Sequence, residues 1–293
     1  MKIKIAVLLA LTGLAPAAFC DRGPWLLRVS AGAAWVVPDD LNIFLRDYVR
    51  IQESAAGSSA RGPGFGTVGC STSFEATVFV PVEPRVHLLA SYGVLRAATT
   101  ENEFEVSYPA VDATYTRDDR IKSSFGRLGI AYSLPISARL GLRPYAAGEL
   151  YWTTFEDTGS WSYTSLSTGE RVLWMDWTVR TRAFDPGFSA GVEFEAELAS
   201  PLRLSVDAGY RRARLTGFKG DFHYTWNFPG GGFADDREDL PLYYYEYFDA
   251  GQNRVYGTMK MPGIWGGQQL TLVRDAVIDL SGPYLRLGLS VAF

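Results

Sequence analysis

The chain has 293 residues, with 28 Lys and Arg against 32 Asp and Glu and a net charge of -4. That mild acidity argues against a nucleic-acid binder, which needs a basic face. Two His and two Cys are too few for a His-rich or Cys/His metal site, and neither a Walker loop nor a calcium-loop pattern is present.

Lys2 and Lys4 precede a short apolar run over residues 5–14, followed by Ala15, Ala17 and Ala18. The run is too short to span a bilayer, which takes ~20 apolar residues, and the order is that of a secretory signal. The boundary is set at residues 1–20, with 21–293 as a single domain. Phe19 is too bulky for the usual lipid-attachment site, so Cys20 is not expected to carry a lipid. Without residues 1–20 the balance is 26 basic against 32 acidic residues. Export to an oxidising compartment suits the sparse cysteines. Cys70 remains, and it has Cys20 as a partner only if cleavage falls after Ala17.

No long apolar helix follows. Instead, apolar and polar residues alternate in eight stretches: 26–36, 66–80, 86–95, 125–134, 142–154, 187–198, 202–211 and 284–293. The cleanest sets Phe188, Ala190, Val192, Phe194, Ala196 and Leu198 against Gly187, Ser189, Gly191, Glu193, Glu195 and Glu197. Period-two alternation marks a strand with one apolar and one polar face. Strands of soluble sheets run ~5–6 residues, whereas a tilted bilayer strand needs ~9–11. The expected fold is all-β: a closed antiparallel transmembrane barrel of eight strands in the bacterial outer membrane. Ten strands is the alternative, with 242–248 and 254–259 as a further hairpin.

The connections also alternate. Short Pro-bearing turns fall at 81–84, 135–139 and 199–201, and long loops at 37–65, 99–120, 155–185 and 216–280. Short periplasmic turns and long outer loops are the asymmetry of an outer-membrane barrel. Trp35, Trp152 and Tyr210 fall on the apolar face near the outer strand ends, where an aromatic girdle belongs. The chain ends in Phe293 on an alternating strand, a signal of the kind read by the barrel assembly machinery.

The inward set contains Arg28, Arg127, Arg143, Arg203, Arg211 and Arg286 against Glu75, Glu149, Glu193, Glu195, Glu197 and Asp207, with His87 among them. Eight strands leave room only for side chains. Buried charges must pair, so the lumen is expected to be plugged. Function then belongs to the outer loops, either as a contact surface for adhesion or ligands or as a catalytic site; a narrow channel is the third reading. The Tyr-rich stretch Tyr243-Tyr244-Tyr245 and the Pro229-Gly230-Gly231-Gly232 turn suit a contact surface.

From about residue 101 to 224 the chain resembles the omptins, the outer-membrane surface proteases. The resemblance rests on Thr158-Gly159-Ser160-Trp161-Ser162-Tyr163, on Gly169-Glu170-Arg171 and on Asp221-Phe222-His223-Tyr224. It implies an endopeptidase in which Asp221 orients His223 and His223 activates a water. The spacing agrees, since residues i and i+2 of a strand point the same way. The opposing acidic pair of the family is matched here by Glu101 and Glu103, one methylene longer than the family's Asp-x-Asp. The resemblance also implies a need for lipopolysaccharide, for which Arg212, Arg214 and Lys219 are the candidate contacts. Expected partners are outer-membrane lipids, the assembly machinery and a peptide or host-protein substrate. No cofactor or metal is expected.

Overall fold

The structure is a computed structural model that describes residues 24–55, 60–99, 102–249, 254–260 and 270–293. Eight strands pair in a ring. They are β1 (Leu26–Trp35), β3 (Cys70–Glu83), β4 (Val86–Ala98), β6 (Val111–Tyr132), β8 (Leu140–Ser165), β9 (Arg171–Ala199), β10 (Leu202–Arg212) and β18 (Gly282–Ala292). Each pairs antiparallel with the next, and β18 returns to β1 through Leu26↔Ala292 to Ala34↔Tyr284. Closure leaves no strand edge in the wall, which lipid requires because it offers backbone groups no hydrogen bonds.

The ring has its apolar residues outside and its charges inside. Leu128 is 70% exposed, and Val29, Leu88, Ile130, Phe188, Leu287 and Leu289 are exposed with it. Arg28, Glu75, Arg127, Glu193, Asp207 and Arg286 are buried. In water that arrangement would expose the apolar band and gain nothing from burial. In a bilayer it places hydrocarbon against hydrocarbon. Trp35, Trp152 and Tyr210 are exposed on the outer wall, and the ring of Trp152 leans on that of Phe184 with centroids 5.3 Å apart. The protein is an outer-membrane β-barrel.

Three strands outgrow the bilayer. β6, β8 and β9 have 22, 26 and 29 residues, at least twice the ~9–11 that crossing requires. The segments expected as loops at 99–120 and 155–185 are therefore largely strand. Above the ring the three continue as one sheet. On one side it adds β5 (Asn102–Ser107) and β2 (Ala60–Phe65), on the other β12 (Lys219–Phe228) and β13 (Gly231–Pro241). Phe104 and Tyr115 stack on the inner face of this head, with ring centroids 4.8 Å apart.

The expected loop 37–65 contains a helix, α1 (Asp39–Ala55). Leu41, Phe44, Leu45 and Tyr48 recur at three- and four-residue spacing and form its packed face. Asp39 and Asp40 occupy its first turn, where acidic groups favour the helix dipole. α1 packs chiefly on β15 (Arg254–Lys260) and also touches β2, β5 and β17 (Ile278–Asp279), and its Phe44 lies under the guanidinium of Arg117 of β6, so it sits within the outer head. β17 pairs β11 (Arg214–Leu215), and together they bury Leu215 and Ile278.

The stretches 242–248 and 254–259 pair with each other, but outside the ring. β14 (Tyr243–Asp249) joins β15 (Arg254–Lys260) and β16 (Leu270–Asp275) in a separate three-stranded sheet. The ring therefore has eight strands and not ten. Asp40 ties this small sheet to α1 by accepting both terminal nitrogens of Arg274 at 2.6 Å, and Asp47 accepts Gly257 N at 3.0 Å. The remaining element, β7 (Leu134–Pro135), pairs with β8 beside the turn at the opposite end of the ring.

Inside the ring the expected pairing is found around one hub. Glu75 receives Arg28, Arg127 and Arg286. Asp207 receives Arg286 at 2.5 Å and Tyr145 at 2.7 Å; Arg143 is held at 3.2 Å by Glu193 and at 2.6 Å by Glu195. Arg211 departs from the expectation. It has no carboxylate within the 4.0 Å of an ion pair among the described residues and sits on the rings of Phe125 and Tyr284. Replacing Glu75 with Gln should leave three guanidinium groups short of their shared acceptor. We expect a loss of about 3–5 kcal/mol in urea unfolding from lipid vesicles, the usual cost of breaking a buried ion cluster from one side.

Candidate functional site

The head is where chemistry can meet solvent, and its two faces differ. Cross-strand register places Glu103, Thr116, Ser160, Asp176 and Thr225 in one row on the outer face. The neighbouring row, Phe104, Tyr115, Trp161, Met175 and Trp226, lies on the inner face. The inner face is aromatic. Trp161 meets Trp226 edge-on at 5.0 Å, and Phe233 lies parallel to Trp226 at 6.1 Å.

Asp221 and His223 share the outer face of β12, as their spacing implies. The imidazole, however, bonds across the hairpin to Asp236 of β13 through Nδ1, while Thr225 Oγ1 lies 3.4 Å from Nε2. Asp221 stands opposite Arg180 of β9, and a register shift beside it sets Glu238 and Asp239 against this one residue. Asp239 has φ 52, the left-handed backbone that lets a bulge turn. His223 and Asp236 are both largely solvent-exposed, at 53% and 74% of their side chains.

Glu103 is exposed on β5, and Glu101 lies outside the described residues. Strands β6, β8 and β9 stand between Glu103 and His223. Four strand spacings put them roughly 19 Å apart along the sheet. The structure brings Asp221 near His223 but does not bring Glu103 to the same cleft. A groove of about 380 Å³ between α1 and β2 is lined by Asp39, Ile43, Arg46, Val49 and Phe65 and takes in neither group.

Arg212, Arg214 and Lys219 are exposed, and none forms an ion pair among the described residues. The structure adds partners that the sequence did not single out. Arg96, Lys122, Thr154, Arg182 and Lys219 are successive cross-strand neighbours over β4, β6, β8, β9 and β12. Lys122 is taken by Glu156, whereas Arg96 and Arg182 have no acidic partner. On β8 and β9 this row stands two residues beyond Trp152 and Phe184 of the aromatic girdle. Only the register reveals it, because its members are scattered over more than a hundred residues of sequence.

A second group missed in the sequence lies under the head. Arg117 is buried and grips Asp119 at 2.7 and 2.9 Å, and its Nη2 also meets Asp157 at 2.7 Å. Trp177 Nε1 donates to Asp157 at 3.0 Å, and the guanidinium of Arg117 lies over Phe44 of α1. Lys260 of the small sheet feels both Arg117 and Asp157. Cys70 is exposed at the start of β3; its prospective partner Cys20 lies outside the described residues, as does the whole of 1–20.

No family model matches the chain, and no curated protein matches it in sequence. Among solved structures it is similar to the outer membrane protein OprG of Pseudomonas aeruginosa, at 12% identity and a TM-score of 0.38 over 93% of this chain and 96% of that one. A major outer membrane protein of Thermus thermophilus is similar at 14% identity and a TM-score of 0.34, over 92% and 99%. The outer membrane protease OmpT of Escherichia coli is similar at 9% identity and a TM-score of 0.25, over 95% and 99%. The fold assignment stands on the strand ring and its two faces.

Burial pushes the Asp157 carboxyl up to about 7, against the pull of Arg117, and the neighbouring Asp119 charge pushes the same way. Because the folded value is raised, the native head binds a proton that the unfolded chain releases at lower pH. This stabilisation is complete below the ordinary aspartate range and is lost as pH rises through about 7. Hydrogen exchange of the head strands should accelerate between pH 5 and 8 beyond the intrinsic rate change. Asp157→Asn should flatten that dependence.

Proposed function

We propose that the protein is a surface-display barrel: a sealed pedestal in the outer membrane that presents a non-catalytic contact surface for adhesion or ligand binding. The observation that carries this reading is the continuation of β6, β8 and β9 above the bilayer as a single sheet with four added strands. Such a head is rigid, because its backbone is continuous with the wall. It is broad, and its inner face carries aromatic side chains suited to contact. The filled lumen argues against a pore, since Glu75 and its three arginines lie within it.

Removing residues 221–239 should leave an inserted barrel and abolish adhesion of expressing cells to a matrix-coated surface, whereas His223→Ala should leave adhesion intact. Wild-type protein should be silent in planar bilayers; stable conductance steps would replace the sealed reading with a channel. The omptin-like endopeptidase retains one supporting observation, the shared outer face of Asp221 and His223. Cleavage of a peptide library that is lost in His223→Ala would establish it against the reading preferred here.

We further propose that Arg212, Arg214 and Lys219, extended by Arg96 and Arg182, contact the phosphates of lipopolysaccharide. Exposed cations beside an aromatic girdle meet the headgroup layer, where each basic residue contributes about 1 kcal/mol. The double change Arg182→Glu and Lys219→Glu should weaken lipopolysaccharide binding by roughly 30-fold, measured by thermal shift of detergent-purified protein. An unchanged shift would assign these residues to ordinary interfacial solvation.

A further inference from the structure

The head sheet ends on β13, which pairs with β12 alone; no other described strand lies along its second side. This edge is eleven residues long, and Gly231 to Ala234 are exposed throughout. The hairpin closes at Phe228↔Gly231 around Pro229-Gly230, with Gly230 at φ 94. Antiparallel residues alternate between bonded and non-bonded pairs, so counting from that turn Gly232, Ala234 and Asp236 direct their N–H and C=O groups away from β12. A free row of this kind is a template for one more strand.

The side chains along the edge set the chemistry of the strand it would take. On the outer face Asp236 and Glu238 follow one another at two-residue spacing, with Asp221 behind them on β12. On the inner face Phe233 is 51% exposed beside Trp226, and Asp235 is held by Arg237 at 2.8 Å. Glu238 and Asp239 form no ion pair among the described residues. β13 thus carries four carboxylates against the single guanidinium of Arg237. A second copy of the same edge would bring carboxylate against carboxylate and is repelled. An extended segment with cationic residues on one face and an apolar residue on the other meets opposite charge at Asp236 and Glu238 and an aromatic surface at Phe233. The acids therefore exclude self-pairing and select an oppositely charged partner at once.

We infer that the β13 edge is a β-addition site for an extended cationic polypeptide segment, which docks antiparallel along Gly232 to Glu238. This rests on the display reading above and gives it a partner class. The test uses full-length protein in lipid nanodiscs and a fluorescein-labelled peptide of four Lys-Val repeats, followed by anisotropy. Binding should weaken more than tenfold in Ala234→Pro, which removes one outward N–H without touching the bonds to β12. It should weaken to a similar degree in Asp236→Lys with Glu238→Lys, and a Glu-Val peptide should not bind. Loss in the charge variant with full binding in Ala234→Pro would overturn strand addition in favour of a diffuse electrostatic patch. Equal binding of the Glu-Val peptide, or no binding by wild type, would overturn the inference outright. Adhesion that persists in Ala234→Pro but disappears on removal of 221–239 would leave the display reading intact and remove only this edge from it.

Discussion

Three guanidinium groups converge on the carboxylate of Glu75 in the middle of the ring. Arg28 comes from β1, Arg127 from β6 and Arg286 from β18, and Arg28 and Arg286 pass the contact on to Asp207 of β10. One acid thereby joins strands from opposite parts of the wall. The rest of the molecule depends on that convergence. Paired charge occupies the middle of the lumen, and strands on opposite sides of the wall are tied across its interior. Both properties suit a base for the sheet above it. The arrangement is costly to break from one side, because each partner is left charged in a site that water does not reach.

The same physical contrast decides what sequence alone can reveal. Within the bilayer one face of each strand meets lipid and the other meets the lumen, so apolar and polar residues alternate without exception along 187–198, and the strand can be read directly. Above the bilayer that contrast disappears. The inner face of β6 carries Tyr115, Arg117 and Asp119 in succession, because two buried charges satisfy each other there. Its outer face carries Thr114, Thr116 and Asp118, so alternation is lost to hydropathy although the strand continues. The helix α1 did leave a signal in Leu41, Phe44, Leu45 and Tyr48 after Asp39 and Asp40. That helical period is short and lies inside a segment flanked on both sides by strands of period two.

The candidate site was legible only as pairs within one strand. Asp221 and His223 fall on one face because neighbours two apart in a strand must. Whether Glu103 joins them depends on the number of strands between, and no residue pattern states that number. The register places β6, β8 and β9 in the gap. The same holds for Arg96, Arg182 and Lys219, which become a row only once β4 through β12 are laid side by side. Chemistry built across strands is hidden from a linear reading, whereas chemistry built along a strand is not.

Charge on the outer face of the head is graded with height. The unpaired cations Arg96, Arg182 and Lys219 stand next to the girdle, and the acids Asp176, Asp221, Asp236 and Glu238 lie farther along β9, β12 and β13. An anionic membrane surface attracts the first group and repels the second. Screening limits both effects to about 8 Å at physiological salt, so each acts on the part of the head nearest to it. In the lipid contact proposed above, the lower row is the part of the outer face that would meet the headgroups, and the acids of the β12–β13 hairpin stand beyond it. Gly231 to Ala234 at the tip of that hairpin are exposed, and a solvent-open strand edge is the kind that can take up another chain.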